Sequence, residues 1–142
     1  GARSGKGQDN AEKVYIPIDK EEAAPKTYAD TFKNNRAQFY GLLADKMYNT
    51  YRCVVRGKYT DPEDMISFDT SGIENIDALR SELCSIPKKD TGSGLYQILS
   101  KADMKKLGIA SPNLADAIMM TMWIPEIEPE WGELNYQQRC IV

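Results

Sequence analysis

The chain contains no histidine, only three cysteines and no long apolar run, and each shortage excludes a class of protein. Without histidine, serine–histidine and cysteine–histidine catalysis and most zinc hydrolase designs are ruled out. The cysteines, Cys53, Cys84 and Cys140, are too few and too widely spaced for a disulfide framework or a zinc knuckle, so we expect reduced thiols. No stretch approaches the roughly 20 apolar residues that cross a bilayer, so we expect a soluble, intracellular protein. Any catalysis must depend on carboxylates, lysine, tyrosine or metals that prefer oxygen ligands.

Length and charge place further limits on the chain. Its 142 residues fit one modest domain, and its net charge of -3 argues against a general nucleic-acid coat without excluding a local basic surface. The opening "GARSGK" resembles a phosphate loop but has three residues between the glycines instead of four. We expect residues 1–13 to be a flexible N-terminal segment, a tag remnant or a linker.

Periodicity predicts a helix-rich α+β (mixed α/β) protein. "KVYIPID" alternates as a short edge strand, and a helical pattern runs over 27–51 with a capping box at Thr27 and Asp30. This helix could break near Asn34, and Gly57 should end it. "MISF" could be a strand or a docked turn. "IENIDALRSELCSIP" predicts a second helix, "LYQILS" a strand, and "SKADMKKLG" a basic loop. "SPNLADAIMM" then predicts a helix with Ser111 as its N-cap.

The last predicted helix carries one charge, that of Asp116, among apolar and small side chains. Enclosing an ionised carboxylate in this way costs several kcal/mol unless a partner or a metal compensates it. Asp116 could pair with Arg36 or Lys101, or it could occupy an exposed stripe of the helix. The small residues beside it and the basic loop before it also suit phosphodiester hydrolysis, in which carboxylates hold divalent cations that activate water.

Five stretches resemble parts of the large terminase subunit of tailed bacteriophages, an ATP-driven protein that packages DNA into the capsid and cuts it with a nuclease domain. "GIASPNLADAIMMT" resembles the last motif of that family, which reads roughly Ser-Pro-Asp/Asn-x-Ala-Asp-Ala followed by apolar residues. "DTFKNNRAQFYGLLADKMYNTYRCVVRG" resembles its Phe-x-Asn-x-(Arg/Lys)-Ala-Gln helix, and "DPEDMISFD", "LRSEL" and "GLYQILSK" follow its order of segments. The resemblance extends over about residues 14 to 123.

The resemblance implies a metal-dependent DNA endonuclease with a ribonuclease H-like fold that cuts concatemeric double-stranded DNA. Residues 14–124 would be the C-terminal portion of this nuclease domain, without its upstream central strands, and 125–142 a C-terminal tail. The implied cofactor is Mg²⁺ or Mn²⁺ at a two-metal centre whose other ligands lie upstream. The implied partners of the full-length protein are the portal and the small terminase subunit, in the cytoplasm of a bacterial host.

Carried over position by position, the family's C-terminal catalytic and metal-ligating acid is Asp116. An earlier acidic position of the motif is Asn113, a weaker ligand that could instead form a hydrogen bond at the helix terminus. Arg36 could orient Asp116 or only pack against its surroundings.

The family's basic stretch matches three lysines before the last helix, namely Lys101, Lys105 and Lys106. They are candidates for DNA-phosphate contact, or else they belong to a solvated surface.

Other interpretations stay open at this point. Asp19 could replace one of the upstream acids, or it could begin a turn. The unpaired edge strand could make this fragment a homodimer. The chain could be a remnant of a phage protein, or a non-catalytic interaction module in which the aromatic helix from Tyr28 to Tyr51, which includes Tyr40, and the tail that contains Trp131 dock a partner. It could also be a carboxylate-dependent nuclease of another family, and the activity of the isolated chain is open because the first two acids and the ATPase domain lie upstream.

Overall fold

The computed structural model describes residues 9–18, 24–90 and 92–123. In chain order the elements are β1 (Val14–Tyr15), β2 (Lys26–Thr27), α1 (Tyr28–Thr31), α2 (Asn35–Arg56), α3 (Ile76–Cys84), α4 (Lys101–Lys106) and α5 (Asn113–Met120), with 3₁₀ turns at Pro62–Asp64 and Thr70–Gly72. The strands β1 and β2 form an antiparallel two-stranded sheet. These residues are therefore helix-rich α+β, as the periodicity predicts. Across the described ranges, no helix combines the length and the apolar content that crossing a membrane requires.

Capping residues divide the predicted 27–51 helix in two. The Thr27 hydroxyl accepts a hydrogen bond from the Asp30 amide at 3.2 Å, and the Asp30 carboxylate accepts one from the Thr27 amide at 3.2 Å, which is the predicted capping box. The Asn34 side chain then caps α2 by accepting from the Ala37 amide at 3.0 Å. The helix ends at Gly57, whose φ of 64° is the left-handed conformation that glycine adopts without steric cost.

The predicted strand "LYQILS" is an extended segment with only isolated bridges, Phe32 to Tyr96 and Lys88 to Ile98. On one side the Lys33 amide donates to the Tyr96 carbonyl at 2.9 Å, and on the other the Leu99 amide donates to the Pro87 carbonyl at 3.0 Å. The prediction of an extended backbone is confirmed here. It could not predict that each neighbour pairs over too few residues to make a ladder.

Two other predictions are resolved by local hydrogen bonds. "SKADMKKLG" is not a loop, because Ser100 caps α4 by accepting from the Asp103 amide at 3.1 Å. "MISF" is not a strand: residues 65–68 have no regular structure, and Ile66 docks on α2. The Thr50 hydroxyl of α2 accepts from the Ile66 amide at 3.0 Å and donates to its carbonyl at 2.7 Å, which uses both groups that a strand would need.

The core consists of two apolar clusters on α2. The larger joins α2, the extended segment, α4 and α5 through Phe39, Tyr40, Leu43, Ile98, Met104, Ala115 and Met119. The smaller contains Tyr28, Phe32 and Ala37, with Tyr15 and Tyr96 packed against it. Phe32 is its centre: its ring centroid lies 5.0 Å from that of Tyr15 and 5.9 Å from those of Tyr28 and Tyr96. Because α2 contributes to both clusters, it holds the N-terminal strands and the C-terminal helices in one arrangement.

Gly41 is required where the Phe32 ring packs on α2. A Cβ at position 41 would lie 2.5 Å from Cε1 and 2.9 Å from Cζ of Phe32. We expect Gly41→Ala to lower the free energy of unfolding by about 1–3 kcal/mol through overpacking, despite the better helix propensity of alanine. Urea unfolding would measure this loss. The matched control is Gly72→Ala, since a Cβ at Gly72 meets nothing within 4 Å. Equal stabilities of the two variants would contradict the packing described.

Candidate functional site

The helix that carries Asp116 begins one residue later than its sequence pattern predicts. Pro112, not Ser111, is the N-cap of α5, and no side-chain bond from it caps the helix. Glu82 of α3 caps it instead, because its Oε2 accepts from the amides of Leu114 at 2.7 Å and Ala115 at 3.0 Å. A negative charge at this end also complements the helix dipole. The position of α5 therefore depends on a glutamate 32 residues earlier in the chain.

The carboxylate of Asp116 accepts three side-chain hydrogen bonds from two other helices. Its Oδ1 accepts from the Tyr40 hydroxyl at 2.6 Å and from Nη2 of Arg36 at 3.1 Å, both on α2. Its Oδ2 lies 2.8 Å from Nζ of Lys101, the first residue of α4. We call these four residues the Asp116 junction. The two ion pairs that the sequence left as alternatives are both present.

The two oxygens of Asp116 face different surroundings. On the Oδ1 side, Arg36 is held by its own second bond, from Nη1 to the Leu99 carbonyl at 2.8 Å, and its guanidinium lies 5.3 Å from the centroid of the Tyr40 ring. On the Oδ2 side, the Lys101 side chain is 57% exposed, against 13% for Asp116 and 24% for Arg36. Oδ1 is thus fixed by the core, whereas Oδ2 is held by a side chain that reaches solvent.

Asp116 is ionised at neutral pH despite its burial. Burial by itself would raise its pKa, but the hydrogen bonds from Lys101 and Tyr40 and the charge of Arg36 outweigh it and hold the pKa below its ordinary value. Asp45 shows the opposite balance. Burial raises its pKa, and its hydrogen bond from the Tyr15 hydroxyl at 2.7 Å does not reverse the shift. The burial of Tyr40, and next its hydrogen bond to Asp116, raises the pKa of the phenol, so the hydroxyl keeps its proton at physiological pH and donates a hydrogen bond.

The junction offers one carboxylate and not a complete metal centre. Among residues 9–18, 24–90 and 92–123, no group of three acidic, cysteine or histidine side chains is placed to hold a metal ion. Both oxygens of Asp116 also face cationic groups. A site for two hard cations needs several converging carboxylates, so these residues fit one ligand of such a site and cannot form it alone.

The other predicted site residues lie around the junction or outside the described ranges. Lys105 and Lys106 are exposed in the last turn of α4, the helix that begins with Lys101. Asn113 is exposed at the start of α5, and its Oδ1 accepts from the Ser111 hydroxyl at 2.9 Å. Asp19 lies outside the described residues, as do the tail aromatics.

The structure argues against Tyr40 as a docking residue of an interaction module. Tyr40 is 4% exposed and donates its hydroxyl to Asp116, so it does not present a ring to a docking partner. From the sequence Tyr40 is considered only as a docking residue, so its polar role is missed. Its spacing of four residues from Arg36 was the available indication, because residues i and i+4 lie on one helix face. No comparable indication exists for Glu82, which acts across a long sequence separation.

The chain is similar to several solved structures. The nuclease domain of the large terminase subunit of bacterial virus Sf6 matches 82% of this chain at 44% identity and a TM-score of 0.68, and the match covers 51% of that domain. A mutant of that domain with manganese matches at 43% identity and a TM-score of 0.67, over 82% of this chain and 52% of the other. A mutant of that domain with calcium matches at 43% identity and a TM-score of 0.67, over 82% of this chain and 51% of the other. No family model and no curated protein sequence matches the chain.

These matches define a class: the chain is related to the nuclease domains of phage large terminase subunits, which confirms the resemblance seen in its motifs. The particular domain it is similar to is that of Sf6, and the chain spans about half of that domain's length.

The lowered pKa of Asp116 gives the junction a defined pH dependence. Because the folded-state pKa lies below the unfolded-state value of about 4, the ionised carboxylate stabilises the fold above about pH 4. This contribution declines as pH falls through the folded-state pKa. Urea unfolding from about pH 7 to about pH 3 should therefore show the stability of wild type relative to Asp116→Asn decreasing over the acidic part of the range.

Asp77→Asn is the control for this measurement, since Asp77 is 92% exposed and pairs only with Arg80 among the described ion pairs. Its stability relative to wild type should stay within about 0.5 kcal/mol at every pH. A wild-type advantage over Asp116→Asn that grows as the pH falls would contradict the ion pairs described.

Proposed function

We propose that the chain is the C-terminal portion of the nuclease domain of a tailed-phage terminase large subunit, and that it is part of a metal-dependent endonuclease that cuts concatemeric DNA during packaging. The observation that carries this proposal is the enclosed, ionised Asp116, which lies in the motif that resembles the family's last acidic motif. The similarity to the Sf6 domain supports it. In the complete domain we infer a ribonuclease H-like arrangement.

Asp116 is the ligand that this chain contributes to the metal centre of the proposed nuclease. The manganese and calcium present with the related Sf6 domain support a divalent cation, and we infer Mg²⁺ or Mn²⁺. Such ions activate water and stabilise the leaving oxygen of a phosphodiester. The remaining ligands must come from residues that the described ranges do not contain. Tyr40 and Arg36 hold Oδ1 in place, which leaves Oδ2 as the oxygen able to exchange its partner.

The lysines of α4 are the proposed contacts to the DNA backbone. Lys101, Lys105 and Lys106 place three cations on one short helix at the edge of the junction. Lys101 is more than half exposed, so it can reach a phosphate when it leaves Oδ2. Phosphate contacts of this kind are independent of base sequence and weaken with salt. Asn113 and Arg36 have supporting roles, Asn113 at the helix terminus and Arg36 as the residue that orients Asp116.

The assembly around this domain follows from the same family assignment. The substrate is double-stranded DNA, and the full-length protein acts with the portal and the small terminase subunit in the host cytoplasm. A homodimer of the isolated chain, formed by pairing of an edge strand, is a further proposal that light scattering at high concentration would test.

The nuclease proposal is tested with a chimera in which residues 9–123 of this chain replace the matching segment of the Sf6 nuclease domain. We expect the chimera to cut linear plasmid DNA with manganese and the isolated chain not to cut it, because residues 9–18, 24–90 and 92–123 supply only one of the proposed ligands. Asp116→Asn in the chimera should lower the cleavage rate by more than about 100-fold, the upper range for losing a group that only supports a metal ligand.

Asp77→Asn is the matched control, because Asp77 is an exposed aspartate on α3 that pairs with Arg80 and not with the junction. Its cleavage rate should equal that of the parent chimera. If the folded chimera cuts DNA equally well with and without the Asp116 carboxylate, the assigned role of this residue is wrong.

A further inference from the structure

The first turn of α5 is held by a side chain of another helix. Oε2 of Glu82, on α3, accepts hydrogen bonds from the amides of both Leu114 and Ala115, at 2.7 Å and 3.0 Å. The N-cap residue, Pro112, makes no side-chain bond to the helix. These two amides therefore have their acceptor on α3, and both bonds go to one oxygen.

Water cannot replace Glu82 at the second of these amides. Ala115 is 0% exposed, whereas Leu114 is 40% exposed. Without the glutamate the Ala115 amide would stay buried without an acceptor, which destabilises any arrangement that encloses it. We expect the first turn of α5 to move toward solvent instead. Asp116 is the next residue along the helix, so its carboxylate would move with that turn.

The helix that carries Glu82 is itself fixed in the protein. Leu79 of α3 is 5% exposed, and Leu83 packs against the larger apolar cluster. Glu82 lies three residues after Leu79, on the side of α3 that these contacts hold. The carboxylate of Asp116 is thus held by α2 and α4, whereas the backbone that carries it is held by α3.

We propose that Glu82 is a positioning residue for the nuclease reaction, which acts through α5 to fix the place of Asp116 at the metal centre. This inference rests on the proposed function. Glu82 supplies no ligand in this role, because its Oε2 is occupied by the amides of α5. Groups that orient a metal ligand change metal affinity or activity by roughly 10- to 100-fold when they are removed.

The first test measures cleavage by the Sf6 chimera against manganese concentration, well below the melting temperature of every variant. Glu82→Ala should raise the manganese concentration that gives half the maximal rate by about 10-fold or more, because Asp116 loses its fixed position. Glu82→Gln should restore this concentration to within about threefold of the parent value, since an amide also provides one oxygen that accepts both bonds.

Glu82→Asp replaces Glu82→Ala if the alanine variant does not fold. The shorter side chain keeps the charge but reaches the two amides only when α5 shifts, so the manganese requirement should again rise.

Thr27→Ala is the matched control for these variants. It also removes a helix cap, that of α1, and α1 carries no residue of the junction. The loss of either cap lowers the stability of the protein, but only the loss of Glu82 should change the manganese dependence. The Thr27→Ala chimera should therefore stay within about twofold of the parent value.

A second measurement needs no nuclease activity. In the isolated chain Tyr40→Phe should raise the equilibrium constant of unfolding, because it removes the bond to Asp116. This increase should be about fivefold smaller when Glu82→Ala is also present, since the carboxylate has then moved. In the Thr27→Ala background it should be unchanged within about twofold.

Three outcomes would overturn the proposal. The first is a Glu82→Ala chimera with the manganese dependence of the parent, and the second is Glu82→Gln as impaired as Glu82→Ala. The third is a Tyr40→Phe effect that does not depend on Glu82. A failure of the nuclease proposal is distinct, because Asp116→Asn would then leave the cleavage rate unchanged. If Asp116→Asn lowers the rate and the Glu82 variants match the parent, only the present inference is wrong.

Discussion

The carboxylate of Asp116 sets the relative positions of three helices, because its charge can be enclosed only if cations and a hydroxyl meet it. The side chain is 13% exposed and accepts bonds from α2 and α4 while it is carried by α5. An enclosed carboxylate without these partners would lose its charge or destabilise the fold by several kcal/mol. Arg36 also donates to the Leu99 carbonyl, so the constraint extends to the segment that precedes α4.

Enclosing ion pairs of this kind contributes little net free energy to folding, because the charged groups lose their hydration. Replacing a buried ion pair by well-packed apolar groups is often neutral or stabilising, so the presence of one is weak support for a structural role. The asymmetry of the junction is more informative. One oxygen of Asp116 is locked by a buried tyrosine and an anchored arginine, whereas the other faces an exposed lysine. The ligand role proposed for Asp116 fits this division, because one oxygen keeps its orientation while the other can exchange its partner.

The sequence predicted best what depends on neighbouring residues. The capping box at Thr27, the break before α2 and its end at Gly57 all follow from side chains within a few positions of each other. Both partners of Asp116, Arg36 and Lys101, were also candidates from the sequence alone. What local patterns could not supply were contacts across the chain. The Glu82 cap of α5 and the Tyr40 hydroxyl on Asp116 join positions 32 and 76 residues apart. The prediction of a loop for the basic segment before α5 was wrong. It rested on the lysines and did not take into account that Ser100 can cap a helix and that Met104 can be buried.

A double-mutant cycle between Tyr40→Phe and Asp116→Ala, measured by urea unfolding, tests the central claim that these groups hold each other. The account predicts a coupling free energy of about 1–3 kcal/mol, because the 2.6 Å bond joins a buried hydroxyl to an ionised acceptor. Tyr15→Phe paired with Asp116→Ala is the control, since Tyr15 donates to Asp45 instead. That pair should be additive within about 0.5 kcal/mol. Additivity of the Tyr40 and Asp116 substitutions would contradict the account.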